Sequence, residues 1–243
     1  MFLYNETGDI IGEIYDEKLI PEMDPIDIIN IHTTPEKLAK IFYEASDDQL
    51  YTFWDLFNKY AIKFKIETET QENFFLAQIV AETGYALKSI RENLNYSCDA
   101  LKSTFSYYGD RPQEAEEDGR CNGHDANEIN IGNKAYANRI GNGDIHTGDG
   151  YKFRGGGYFQ FTGRANYQAL ADSINELLHK NITADDIADH IESTEMGLLT
   201  ALAFWYGNEC YECSHIDCVT EKINKYTDSY EKRKEIYLWI TDL

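Results

Sequence analysis

A glutamate at the end of an apolar helical pattern is the first candidate for chemistry in this chain. Glu82 shares one face of a predicted helix with apolar and amide residues, namely Phe74, Phe75, Gln78 and Ile79, so it lies on or beside the inward face. Because a low dielectric disfavours a charged carboxyl, we expect the pKa of Glu82 to be raised. A general acid needs that property at neutral pH. The alternative is a solvent-facing glutamate near a helix end.

A glycine-rich stretch in the second half of the chain is the next candidate. Residues 148–167 read GDGYKFRGGGYFQFTGRANY, and glycines around single polar side chains indicate backbone that approaches something closely. A flexible linker is the alternative, but linkers lack such aromatic and amide side chains. The aromatic residues predict a short extended segment before a helix that begins near Arg164.

Three of the five cysteines lie close together near the C-terminus. With His215, they place four potential metal ligands within nine residues: Cys210, Cys213, His215 and Cys218. A structural zinc site is one interpretation, although such sites usually take two ligand pairs from separated segments. We favour reduced thiols or a local disulfide.

Composition narrows the classes of partner. A chain of 243 residues that is 42% hydrophobic and 14% aromatic is long and apolar enough to fold as one large domain or two small ones. Its formal charge of −21 argues against binding to nucleic acid or to an anionic membrane surface, which leaves a sugar polymer open. No apolar run approaches the roughly 20 residues of a membrane span, and the first residues lack the pattern of a signal peptide.

The first 33 residues differ from the rest. Residues 2–4 and 10–15, around a polar turn at 5–9, predict a short hairpin, and Pro21 and Pro25 mark an acidic connector. This segment is too short for a core of its own, so we interpret it as an arm. Residues 34–243 read as one domain.

Helical patterns dominate that domain. Thr34 and Pro35 predict the start of the first helix, Thr70 can cap the helix that carries Glu82, and Ser97 or Asp99 can cap a short one that ends near Phe105. We interpret residues 109–128 as a solvated loop rather than a metal site. The other predicted helices cover residues 47–64, 166–178, 185–190, 194–206, 219–226 and 230–240.

Several motifs in one order resemble glycoside hydrolase family 19, the plant-type chitinases and their phage endolysin relatives. They are residues 75–78, 82–84, 92–97, 136–139, 141–144, 148–150, 154–155 and 160–167, followed by Ile223, Asn224 and Arg233. The resemblance covers roughly residues 50–240, and it is the ordered combination that is specific. The short segment between Glu82 and Glu92 is closest to the bacterial and phage branch.

The resemblance implies a mainly α, lysozyme-like fold with two lobes and a small β element at the cleft. It makes Glu82 the general acid and Glu92 the general base of an inverting reaction, which requires carboxyls about 6.5–9.5 Å apart. Ser97 matches a hydroxyl that holds the attacking water. No cofactor is implied, and the pH–rate profile should be bell-shaped.

The resemblance also implies a set of positions that line the cleft: Gln160, Thr162, Asn166, Asn224 and Arg233. Amide and hydroxyl groups there suit the N-acetyl and hydroxyl groups of an amino sugar. The alternative for each amide is a buried group that satisfies the backbone. Arg233 has a second alternative, in which it orients or charge-balances a catalytic carboxylate.

Three positions depart from the family's usual residues. Ala81 stands where relatives usually have histidine, Gly156 where they usually have arginine, and Lys225-Tyr226 where they usually have a glycine pair. Because the acid, base and amide positions are retained, we expect activity with altered substrate contacts.

These observations favour a monomeric, bacteriolytic enzyme of the endolysin type that cleaves peptidoglycan. We expect it to be made in the cytoplasm, without a signal peptide, and to act on the cell wall after release or holin-type export. A chitinase is the alternative within enzymes. A non-catalytic glycan-binding or phage-tail protein is the alternative of another class, and a secreted antibacterial effector would share the chemistry.

Overall fold

The computed structural model describes residues 2–4, 10–13, 31–121 and 123–243. The chain divides into two compact units, Met1–Asn30 and Ile31–Leu243. In the first, β1 (Phe2–Tyr4) and β2 (Ile10–Glu13) pair antiparallel with a register shift after Leu3. The predicted turn at residues 5–9 and the proline-containing connector lie outside the described residues.

The second unit is built almost entirely of helices, which confirms the mainly α fold. They are α1 (Pro35–Ile41), α2 (Asp47–Tyr60), α3 (Glu69–Thr83), α4 (Cys98–Thr104), α5 (Ser106–Gly109), α6 (Pro112–Asp118), α7 (Glu128–Ala135), α8 (Asp149–Lys152), α9 (Arg164–Leu178), α10 (Ala184–His190), α11 (Thr194–Gly207), α12 (Ile216–Asn224) and α13 (Tyr230–Thr241). Among the described residues, no helix has the length and apolar character needed to cross a membrane.

Local capping chemistry sets where the functional helices begin. The start of α3 is a capping box: the Thr68 hydroxyl accepts from the Gln71 amide, and the Gln71 side chain accepts from the Thr68 amide. The predicted cap at Thr70 was therefore wrong by two residues, because the reciprocal pair satisfies two backbone donors at once. Ser97, one of the two predicted caps, begins α4.

The prediction of a solvated loop over residues 109–128 was wrong. α6 occupies its centre, and its last residue, Asp118, is buried and accepts hydrogen bonds from Tyr108 and Lys134. A disulfide between Cys98 and Cys121 ties the end of this region to the start of α4. The run of acidic residues suggested a loop because the charged partner of the buried Asp118, the half-buried Lys134, lies 16 positions away on α7.

The second correction concerns α12 and the cysteines beside it. The helix begins at Ile216 rather than at residue 219, because the His215 side chain accepts from the Cys218 amide and caps it. Cys213 and Cys218 form a disulfide, which agrees with the predicted local disulfide. Cys210 is a free, buried thiol, and burial raises its pKa to about 12.

Two hydrophobic clusters form two lobes. The larger lobe surrounds α3, where the ring of Phe75 stacks on Phe57 and meets Trp205 edge-on. The smaller lobe is centred on Leu101 and Tyr108 and is built from α4 to α7. Each cluster is a separate apolar core, as the two-lobed expectation requires.

A minimal antiparallel pair completes the unit. β3 (Ile90–Arg91) pairs with β4 (Gly156–Gly157), with Arg91 opposite Gly156. A Cβ atom on Gly156 would lie 2.7 Å from the Tyr167 hydroxyl, so any side chain there would require Tyr167 to move. Glycine is therefore the residue that fits this position without movement of its neighbours.

Candidate active site

Glu82 lies in the last turn of α3, at the edge of the larger lobe. The residues before it, Phe74 to Val80, are all buried, so the helix is fixed by packing on every side. Gly84 then ends the helix with φ of +67°, a conformation that L side chains rarely adopt. The Glu82 side chain keeps 22% of its surface exposed, so the carboxyl is held by a rigid helix and still reaches solvent.

The carboxylate of Glu82 is paired with a buried arginine. Arg233 Nη2 donates to Glu82 Oε1 at 2.5 Å, and Nη1 donates to Gln78 Oε1 at 2.5 Å. Gln78 is completely buried and donates in turn to Thr220. Since only 3% of the Arg233 side chain is exposed, the geometry favours its second predicted role, in which it orients and charge-balances the carboxylate.

The same arginine links Glu82 to the turn between α12 and α13. Arg233 Nε donates to the Ser229 hydroxyl at 3.0 Å, and that hydroxyl lies 2.7 Å from the hydroxyl of Thr227. The Thr227 amide donates to the carbonyl of Asn224, whose side chain is exposed. We call Gln78, Glu82, Asn224, Ser229 and Arg233 the Glu82 cluster.

Glu92 is positioned by the strand pair. It directly follows β3, and its amide donates to the Gly155 carbonyl at 2.7 Å. The Gly155 amide lies 3.3 Å from Glu92 Oε2. The backbone before β4 therefore holds both the main chain and the carboxylate of Glu92.

Tyr136 holds the same carboxylate from the smaller lobe. Its hydroxyl lies 2.8 Å and 2.9 Å from the two carboxylate oxygens of Glu92, and its ring meets Phe105 edge-on in the smaller core. Burial, followed by the negative charge of Glu92, raises the pKa of Tyr136, so the hydroxyl remains a donor. Glu92 thus lies where the two lobes meet.

A chain of hydrogen bonds links three predicted site residues to the strand pair that precedes Glu92. The Gln160 amide nitrogen donates to the carbonyls of Ile90 and Gly157, the Thr162 hydroxyl donates to the Gln160 carbonyl, and the Asn166 amide donates to the Thr162 carbonyl. Gln160 and Asn166 are exposed rather than buried. Together with Glu92 and Tyr136, these three residues form the Glu92 cluster.

Among the described residues, the Ser97 side chain makes no hydrogen bond to either cluster. Its hydroxyl accepts from the Ala100 amide at 3.2 Å, as the cap of α4. Because accepting uses only an oxygen lone pair, the hydroxyl hydrogen stays available to another acceptor. The Cys98–Cys121 disulfide adjoins this cap.

Sequence reasoning missed the most direct contacts of both glutamates. Tyr136 was part of a matched motif but had no assigned role, since its partner lies 44 positions away. Gln78 was assigned only to the inward face of α3. At the Ala81 departure, the half-buried methyl group packs against the larger core, and Arg233 is the charged neighbour of Glu82.

The described residues include no group of three or more histidine, cysteine, aspartate or glutamate side chains placed to hold a metal ion. The site contains two carboxylates: Glu82 lies beside the cation of Arg233, and Glu92 lies beside the neutral donors of Tyr136 and Gly155.

Comparison with known proteins decides the family. A curated protein of Haemophilus influenzae, described as a glycosyl hydrolase family 19 domain-containing protein, is 34% identical over 174 residues, which are 71% of this chain and 80% of that protein. The chain belongs to glycosyl hydrolase family 19. No protein-family model matches it. Membership of family 19 makes it a glycosidase by class, and the two glutamate clusters are the candidate site for that chemistry.

Proposed function

We propose that this family 19 protein hydrolyses the β-1,4 bond of peptidoglycan between N-acetylmuramic acid and N-acetylglucosamine, with inversion at the anomeric carbon. The observation that carries the proposal is the contrast between the two glutamates. Glu82 faces the cation of Arg233, whereas Glu92 is held by the neutral hydroxyl of Tyr136 and the amide of Gly155. Two carboxyls in different environments can take different roles. A neighbouring cation favours a charged carboxylate, so the contrast separates the two groups, and the family resemblance assigns the acid role to Glu82.

Glu82 acts as the general acid. It transfers a proton to the glycosidic oxygen as the bond to the anomeric carbon breaks. The carboxylate that remains is negatively charged, and the Arg233 guanidinium at 2.5 Å stabilises that charge. The buried arginine thus favours the product state of the proton transfer.

Glu92 acts as the general base on the opposite face of the sugar ring. It removes a proton from a water molecule while the water oxygen bonds to the anomeric carbon. Tyr136 contacts both carboxylate oxygens, which fixes the orientation of the carboxyl plane. The hydroxyl of Ser97 is the proposed third contact of that water.

The exposed amides supply contacts to the N-acetyl groups. In Gln160, the amide nitrogen donates to two backbone carbonyls, so the side-chain oxygen is the group left for substrate. In Asn166, the nitrogen donates to one carbonyl, so the oxygen and one N–H are left. An amide oxygen accepts a hydrogen bond from the N–H of an acetamido sugar. Asn224 offers an equivalent exposed side chain from the Glu82 cluster.

Peptidoglycan is favoured over chitin by the short connection between the catalytic residues. Nine residues separate Glu82 from Glu92, and they form only a short 3-10 turn, Gly84–Ala86, and β3. A short connection leaves fewer side chains to enclose the substrate, and a peptide-bearing glycan needs more room than chitin does.

The test compares purified peptidoglycan with chitin oligomers as substrates for the wild type, Glu82→Gln and Glu231→Gln. Glu231 is an exposed glutamate on the same helix as Arg233 and serves as the matched control. We expect the wild type and Glu231→Gln to release new reducing ends from peptidoglycan, and Glu82→Gln to release almost none. Release from chitin alone would make the protein a chitinase. A wild type that binds either polymer and cleaves neither would contradict the enzyme proposal.

A further inference from the structure

Tyr226 is the most exposed large hydrophobic side chain in the described part of the chain, at 92% of its free surface. It lies on the turn between α12 and α13, where it makes no ring–ring contact with a described aromatic residue. Tyr43, in contrast, is also exposed, but its ring stacks on Tyr85 at 4.6 Å. The ring of Tyr43 therefore packs within the fold, whereas that of Tyr226 has no aromatic partner among the described residues.

A single exposed aromatic side chain is common on protein surfaces and does not by itself indicate a binding site. The position of Tyr226 on an ordered turn is the further observation. Two hydrogen bonds fix the turn on either side of it: the Tyr230 hydroxyl donates to the Lys225 carbonyl at 3.2 Å, and the Thr227 amide donates to the Asn224 carbonyl at 3.1 Å. The backbone that carries the ring is therefore held in place, although the ring itself projects into solvent.

The turn is joined to the proposed general acid. The Thr227 hydroxyl lies 2.7 Å from the Ser229 hydroxyl, which accepts from Arg233 Nε at 3.0 Å. Arg233 in turn contacts Glu82. Tyr226 is thus presented by the segment that also holds the carboxylate of Glu82, two residues after the exposed Asn224.

We propose that Tyr226 is a stacking platform for a sugar ring of the substrate, next to the bond that is cleaved. The inference rests on the proposed function, because it names one contact of the same glycan. One face of a pyranose ring presents C–H groups and its edge presents hydroxyls, which suits a side chain with an apolar ring and a polar tip. Tyrosine also supplies this contact area at a low cost in conformational entropy.

The turn carries two charged side chains, one on each side of Tyr226 along the chain. Lys225 is paired with Glu221 at 3.2 Å, and Asp228 is exposed. The tyrosine ring itself is neutral, so its stacking on a sugar ring needs no charged partner. In this chain Lys225 and Tyr226 stand where the family usually has a glycine pair. Tyr226 is thus a residue that determines affinity for the glycan.

The test measures binding without turnover, in the inactive Glu82→Gln background, on whichever insoluble polymer the wild type degrades. Tyr226→Ala should weaken binding about tenfold, the size expected when one face of an aromatic ring no longer becomes buried. Tyr226→Phe should bind as the parent does. Tyr51→Ala, which removes an exposed tyrosine from α2, is the matched control and should also bind as the parent does.

In the active protein, Tyr226→Ala should raise KM about tenfold and change kcat less than about twofold. Equal affinities for Tyr226→Ala, Tyr51→Ala and the parent would overturn the inference while leaving the proposed function intact. A fall in kcat at constant KM would also overturn it, since the residue would then act on the chemical step. A wild type inert on peptidoglycan and on chitin would overturn the proposed function and the inference together.

Discussion

Arg233 Nη2 lies 2.5 Å from Glu82 Oε1, in a place where only 3% of the arginine side chain is exposed. The same guanidinium contacts Gln78 and Ser229. A buried arginine with three partners is geometrically fixed, and it fixes the carboxyl that it contacts. The orientation of Glu82 therefore depends on α13 as much as on its own helix.

Replacement of Arg233 by lysine should lower activity at least about tenfold. A lysine ammonium is a compact point charge, which cannot reproduce the planar set of donors that reaches Gln78, Glu82 and Ser229 together. Arg233→Met should also lower the free energy of unfolding by about 3 kcal/mol, because buried partners lose their donor. Denaturant titration measures the second effect.

Lys232→Met is the matched control, since Lys232 is an exposed cation on the same helix. Its stability should change by less than about 0.5 kcal/mol. Equal losses in the free energy of unfolding for Arg233→Met and Lys232→Met would show that the buried contacts of Arg233 do not stabilise the fold.

Tyr136→Phe should lower activity about tenfold. The one hydroxyl hydrogen of Tyr136 is shared between the two oxygens of Glu92, which lie 2.8 Å and 2.9 Å from the hydroxyl, and this contact fixes the plane of the carboxyl. Without it, the carboxyl can rotate away from the position that activates water. Steady-state rates of substrate cleavage measure the loss.

Tyr107→Phe is the control in the same lobe, because the Tyr107 hydroxyl donates to Glu114, which is outside both clusters. That variant should keep the wild-type rate. An unchanged rate in Tyr136→Phe would mean that Tyr136 does not position Glu92 for the reaction.

Local patterns predicted most helices and the main functional helix. The apolar face of α3, the Ser97 cap and the helix from Arg164 all follow from residues that are neighbours along the chain. Such features are readable because periodicity and capping are local.

Contacts between distant segments could not be read in this way. Tyr136 meets Glu92 across 44 positions, and Arg233 meets Glu82 across 151. Acidic residues around Asp118 suggested a solvated loop because the pattern does not show that Lys134 and Tyr108 neutralise and bury that carboxylate. These pairings arise from the packing of the lobes rather than from the sequence nearby.

The two disulfides should differ in their contribution to stability. Cys98 and Cys121 are 23 positions apart, and Cys213 and Cys218 are five apart. Closing a longer loop removes more entropy from the unfolded chain, so the first bond should contribute about 3 kcal/mol and the second about 2 kcal/mol. Unfolding of the paired serine variants, C98S/C121S and C213S/C218S, measures both. A larger loss from the second pair would contradict the loop-closure argument.

Asp149 should stabilise the folded protein near neutral pH, and this contribution should be lost in acid. Arg164 donates to both of its oxygens, at 2.7 Å and 3.0 Å, and this contact holds the pKa of Asp149 below its usual range. A lowered pKa in the folded state stabilises the protein above the ordinary value of about 3.9, and that stabilisation is lost as the pH falls through the folded-state pKa.

The variant Asp149→Asn isolates this effect. It should be less stable than the wild type by about 2 kcal/mol near neutral pH, and the difference should shrink as the pH falls below about 3.9. Asp172→Asn, at an exposed position on α9, should change little at either pH. A difference for Asp149→Asn that is independent of pH would contradict the role of its charge.

The most direct test of the account is the rate of glycan hydrolysis by Glu82→Gln, Glu92→Gln and the double variant, each shown to be folded. A proton donor and a proton acceptor that act in one step each contribute about 10²–10⁴-fold, and the losses are not additive when the groups act as a unit. We therefore expect each single variant to lose about 10³-fold, and the double variant to be no more than about tenfold slower than the slower single variant. Retention of more than about a tenth of the wild-type rate by either single variant would contradict the assignment of Glu82 and Glu92 as the catalytic pair.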